Sequence, residues 1–173
     1  LYNRVEKYED ICDQMEIEIG SYLSKVSEGR LSNQTKEHIR AILRAVTEIE
    51  SIADSCCNIG RHLKRKMEAN VVFDENLLAN INSMYSLLDK AYENMQLTLK
   101  NQKISEKELH ESQNLESAIN DKRNTLKRKN VEDLNSNQYS YLNGVFYMDI
   151  TSECERMGDY IMNVIESIKV KSN

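Results

Sequence analysis

Not one of the 173 residues is proline, and only five are glycine. Those two residues end helices and supply the special conformations of tight turns. Without them, long helices run on unbroken. Apolar residues recur at intervals of three and four through most of the chain, the period of a helix with one buried face. With 29% charged residues, composition and period together predict an all-α antiparallel helical bundle. The length suits one domain, or two small ones sharing a core.

Five long helices follow from the pattern. The first runs from about Asn3 to Glu28, with an inward stripe of Val5, Tyr8, Ile11, Cys12, Met15, Ile19, Tyr22, Leu23 and Val26, and Gly29 ends it at C′. Ser32 or Asn33 caps the second, which reaches Glu68 along Ile39, Ile42, Val46, Ile49, Ala53, Cys56, Gly60 and Leu63. Its basic end, Arg61 to Lys66, suits the negative pole of the helix dipole. Asp74 caps the third, whose seam is Leu77, Ile81, Met84, Leu88, Ala91, Met95 and Leu99. Ser105 with Glu108 reads as a capping box opening the fourth, a polar helix that ends near Leu134. The fifth and most apolar runs from about Gln138 to Val170.

A net charge of −5 gives no general attraction for nucleic acid, and the basic patches at 61–66 and 122–129 read as solvated helix faces. Cys56 and Cys57 are adjacent on a helix, diverge by about 100°, and cannot pair there without distortion. Cys12 and Cys154 fit apolar seams, so a reducing compartment is expected. No apolar run approaches the ~20 residues that cross a bilayer. A first residue of Leu1, not methionine, suggests processing or a piece of a longer chain.

One stretch occurs twice. Thr-Glu-Ile-Glu-Ser-Ile-Ala-Asp-Ser-Cys-Cys-Asn at 47–58 aligns with Ser-Glu-Cys-Glu-Arg-Met-Gly-Asp-Tyr-Ile-Met-Asn at 152–163. Glu48, Glu50, Asp54 and Asn58 fall on Glu153, Glu155, Asp159 and Asn163 at a constant offset of 105 residues. Glu, Asp and Asn four residues apart form one polar line along a helix, bordering the apolar face of Ile49 and Ala53, or of Cys154 and Gly158. Acids so placed at the edge of a buried seam either hold a ligand or tie helices together through hydrogen bonds.

Glu-Arg-Met-Gly-Asp followed four residues on by Asn resembles the signature of the PhoU family, bacterial proteins of phosphate-uptake control. The segments 143–150 and 7–26 are similar to the PhoU-type domains that end sodium/phosphate cotransporters. That resemblance implies two tandem three-helix bundles with one motif on each third helix. Five helices are one short of six, so it implies a first half at 1–69 lacking its first helix and a complete half at 70–173. It further implies a regulatory domain that senses or transmits phosphate status. Its partner would be its own upstream transmembrane transporter domain, with a homodimer as a further association, on the cytoplasmic side of the bacterial inner membrane.

Metal-bearing members of that family hold iron or zinc on acid-x-x-x-Asp motifs of two neighbouring helices, and carboxylates so gathered also suit magnesium. The resemblance maps such a site onto Glu9, Asp13, Glu50 and Asp54. A second site would take Glu155 and Asp159 with Glu116, but Asn120 stands where an acid is needed. No cofactor is required by the residues themselves. The alternative for these positions is a carboxylate–amide–arginine network using Arg123 and Arg156. Enzyme chemistry finds no support: His38, His62 and His110 lack the Glu-x-x-His spacing of di-iron oxidases and read as solvent-facing, and no phosphate loop or nucleophile elbow is present.

Overall fold

A computed structural model describes residues 2–169. Five helices make up the described chain: α1 (Tyr2–Ser27), α2 (Asn33–Glu68), α3 (Glu75–Asn101), α4 (Glu106–Asn135) and α5 (Tyr141–Lys169). There is no strand among the described residues. The all-α bundle read from the missing proline and the helical period is therefore the observed fold.

Four starts are set by side chains, that of α5 by Ser140, which accepts the Asn143 N–H at 3.3 Å. Ser32 accepts the Thr35 N–H at 3.1 Å, and Asp74 accepts that of Leu77 at 2.8 Å. Ser105 and Glu108 close a complete capping box. Such a cap satisfies amide groups that have no partner inside the helix. Ser105→Ala should lower stability by about 1 kcal/mol, read as a fall of roughly 2–4 °C in Tm, and an unchanged Tm would show that α4 starts without it.

The helix ends depart from expectation. Gly29 is not a left-handed cap; α1 ends in tight turns in which Glu28 and Gly29 donate to Lys25 and Val26, and no described glycine has positive φ. The left-handed positions are Asn70, Gln102 and Asn137. After α2, Asn70 N–H donates to Met67 and Val71 N–H to Lys66; after α4, Asn137 and Gln138 repeat that pair on Leu134 and Asp133. These are Schellman closures with asparagine in the glycine role. The second one holds Gln138 in the turn, so α5 starts at Tyr141, later than the pattern suggests. The expected end at Val170 lies outside the described residues.

Helix α5 is the centre. It packs on α2, α3 and α4, and α3 packs on α4, which makes α3–α4–α5 a three-helix bundle. Helix α1 packs on α2 alone. The seam of α3 is buried from Leu77 through Met95 as its period predicts, against Ile150, Cys154, Ile161 and Val164 of α5 in one core cluster.

Two stripes need correction. On α1 only Leu23 is buried, while Tyr8, Ile11, Met15 and Tyr22 are exposed. A helix with one neighbour cannot cover a wide apolar face. On α2 the buried residues are Ile39, Ala41, Ala45, Ile52, Ser55, Cys57 and Ile59; of the predicted stripe Ile39 is among them, whereas Cys56 and Leu63 are exposed. Contact with α5 and α1 decides which side of α2 is covered, and its own period does not.

Candidate functional site: two acid seams

The acids of both motifs lie where helix pairs meet. Glu9 and Asp13 on α1, Glu50 and Asp54 on α2, Glu116 on α4, and Glu155 and Asp159 on α5 are all half-buried. In the first seam Asp54 accepts a hydrogen bond from Asn58 Nδ2 at 3.2 Å, and Arg61 extends the line by donating to Asn58 Oδ1. Glu16 closes the other end, accepting from Thr47 Oγ1 at 2.7 Å.

No ion pair neutralises the acids of this seam: among the described residues none reaches Glu9, Asp13, Glu50 or Asp54. Desolvation raises the Glu9 carboxyl, and Asp13, Asp10 and Asp54 raise it further against the opposing pull of Arg61. Desolvation also raises Glu50, followed by Glu16, Asp13 and Asp54. Like charges held beside one another disfavour ionisation.

A raised carboxyl binds its proton more tightly folded than unfolded. Above its folded pKa the ionised group opposes folding, and this opposition fades as pH falls through that value. Glu50→Gln should therefore raise Tm at neutral pH, with the gain gone below about pH 4, the ordinary glutamate range. A lower Tm at neutral pH would instead mean that the carboxylate makes a bond the amide cannot.

The second seam is built differently. Arg123 Nη2 donates to Glu155 Oε1 at 2.5 Å, and Asn120 Nδ2 donates to Glu116 Oε1. One turn away, Arg156 Nη1 donates to the buried Glu153 Oε1 at 2.9 Å. Asp159 is raised by desolvation first, then by Glu155 and Glu116, with Arg123 opposing. The carboxylate–amide–arginine network is therefore present here, as the alternative reading had it.

The two seams differ in how far they fit a cation. Carboxylate oxygens are the right donors for a hard ion, and the first seam offers four of them with no arginine bound. Even so, among the described residues no three His, Cys, Asp or Glu side chains stand close enough together to hold a metal ion. The first seam is right in donor type but not gathered, and the second, engaged by Arg123, does not fit.

Other residues at these seams carried weaker signals in the sequence. Asn163 of the second motif reaches the first, donating to Glu48 Oε2 at 3.0 Å and accepting from Arg44 Nη2 at 3.4 Å across α2 and α5. His62 is not solvent-facing: its Nδ1 lies 3.3 Å from Asp149 Oδ2 on α5, buried and out of hydrogen-bond alignment. His38 and His110 are exposed as expected. Arg61, read as part of a solvated basic face, stands three residues after Asn58, a spacing that could have revealed it, while Glu16, Arg44 and His62 depend on a partner helix distant in sequence.

Among the described residues, no helix is long and apolar enough to cross a membrane. No curated protein matches the chain. A family model does match, but it stops short of the second motif, whose kinship to the first rests on the shared register. Residues 1–63, which carry all four acids of the first seam, match the family model described as PhoU domain, a regulatory and non-enzymatic family, and this points to a regulatory role in phosphate homeostasis.

Proposed function

We propose that this chain is the regulatory domain of a bacterial sodium-dependent phosphate transporter, held on the cytoplasmic side of the inner membrane, where it transmits phosphate status to the transporter. The observation that carries this reading is the PhoU domain match over residues 1–63. The recurrence of its acid motif on α5 and the likeness of 143–150 to cotransporter tails support the finer assignment. Affinity capture tests it. An antibody to the chain should recover from detergent-solubilised membranes a single polypeptide that also carries the sodium/phosphate transport domain, and recovery of the chain without any transport domain would count against the reading.

A second reading, that the first seam takes up iron, zinc or magnesium, is favoured by one observation: desolvation and the neighbouring acids raise the Glu9 and Glu50 carboxyls, and no ion pair forms with any of the four acids. The seam would then gather around the ion by side-chain rotation. Adding Fe²⁺, Zn²⁺ or Mg²⁺ should raise the Tm of the unsubstituted chain and not that of Asp54→Ala. Equal responses would leave the acids as ties between helices.

A further inference from the structure

The two basic patches, far apart in the sequence, meet at one end of the bundle. Lys64, Arg65 and Lys66 lie in the last turns of α2. Lys127, Arg128 and Lys129 lie within about 12 Å of the end of α4, at 1.5 Å per helical residue. Both patches are tied to the start of α5. Asn143 donates to the Val72 carbonyl at 2.6 Å, and Lys129 shares a small cavity with Asp74, Gln138 and Tyr139. Residues 61–75 and 127–144 together hold seven Lys or Arg against five Asp or Glu, where the whole chain has 23 against 28. This end is therefore net positive on a net negative molecule.

The same end carries the three most exposed large apolar side chains among the described residues. Val72 is 79% exposed, Tyr141 74% and Met67 73%, with Leu142 at 50% beside Tyr141. The loops that hold them have few polar backbone groups to spare. Asn70 and Val71 donate to Met67 and Lys66, and Asn137 and Gln138 donate to Leu134 and Asp133. Backbone groups already paired in this way lose little when water is displaced from them.

We propose that this end docks on the surface of an anionic lipid bilayer. Val72, Met67, Tyr141 and Leu142 enter the boundary between headgroups and acyl chains, and the flanking Lys and Arg side chains meet lipid phosphates. Apolar tips within a basic surround suit that boundary, where hydrophobic burial and attraction to anionic lipid add. Tyrosine in particular favours the headgroup level. The apolar tips choose lipid over nucleic acid, because of the four only Tyr141 can stack on a base. The inference goes beyond the transporter reading and does not rest on it, since it needs a negatively charged bilayer and no second protein.

Sedimentation of the whole chain with vesicles tests it. Equimolar phosphatidylcholine and phosphatidylglycerol should bind the chain at least about tenfold more tightly than phosphatidylcholine alone. Raising salt from roughly 0.01 to 0.15 M shortens the screening length from about 30 to about 8 Å and should release most of the bound chain. Arg65→Glu with Arg128→Glu takes one exposed position from each patch and should weaken binding roughly tenfold or more. Lys25→Glu with Lys36→Glu makes the same change of charge at the opposite end, and should alter binding less than about twofold. Val72→Asp with Tyr141→Asp should also weaken binding about tenfold, with helical circular dichroism unchanged because both sites are exposed. The sequence holds no tryptophan, so Tyr141→Trp supplies a single reporter whose emission should move to shorter wavelength on the anionic vesicles. No binding, equal binding to neutral vesicles, an equal loss from the Lys25 and Lys36 pair, an unshifted emission, or tighter binding to single-stranded RNA would each overturn the proposal.

Discussion

Ile168→Ala is expected to destabilise the chain by about 2–5 kcal/mol, whereas Leu63→Ala, at the matching position of the other repeat, should cost under about 1 kcal/mol. Ile168 is 4% exposed and part of the α5 core line, while Leu63 is 38% exposed and borders open space. Removing a buried side chain loses its transfer free energy and leaves a cavity that neighbours fill only in part. Removing an exposed one leaves nothing behind. Thermal unfolding of the two variants should separate them by roughly 2–20 °C, at about 2–4 °C per kcal/mol for a chain of this size. Equal effects would mean that Leu63 is covered in solution by something resembling α3.

Gly158→Leu is the second large effect, and it should be unfavourable by about 1–3 kcal/mol. A Cβ at Gly158 would stand 3.1 Å from Ile119 Cδ1 and 3.2 Å from its Cγ2. Ile119 is fully buried, so it cannot swing into solvent to make room. A leucine there must push α4 away from α5 or force Ile119 into a poor rotamer. Adding Ile119→Ala should recover part of the loss, because the two substitutions share one space. Gly20, with nothing within 4 Å, is the control. There Gly20→Ala should stabilise by about 0.8–1.0 kcal/mol through helix propensity alone. If Gly158→Leu is neutral, the close approach of α4 and α5 is not a constraint.

What could be read from the sequence follows the range of the interactions involved. The caps at Asp74 and Ser105 involve residues three apart, and the structure has both. The seam of α3 was legible because a helix inside a three-helix bundle is covered along the side its period marks. On α2 the period was ambiguous: Ile49, Ala53 and Cys56 form as good a stripe as Ala45, Ile52 and Ile59, and only the position of α5 chooses between them. The exposed Tyr8 and Met15 on α1 have the same origin, since periodicity marks a face that could be buried and says nothing of a partner. Asparagine replaced glycine in the left-handed closures because its short polar side chain tolerates that conformation.

The acid seams were legible as a repeated pattern but not as two different environments. Nothing in Glu50 and Asp54 as against Glu155 and Asp159 shows that one pair has no ion pair while Glu155 of the other binds Arg123. Arg123 was recognisable as an available cation, and its bond to Glu155 required α4 and α5 to be set side by side. The lone departure, Asn120 in place of an acid, did mark the seam in which an arginine pairs with one of the acids.

Sodium-driven uptake of radiolabelled phosphate is the most direct test of regulation by this chain. It should be measured in cells with the chain intact and in cells lacking it, before and after phosphate is replenished. If the chain transmits phosphate status to the transporter, uptake should fall on replenishment only where the chain is present. An equal fall in both would contradict that role.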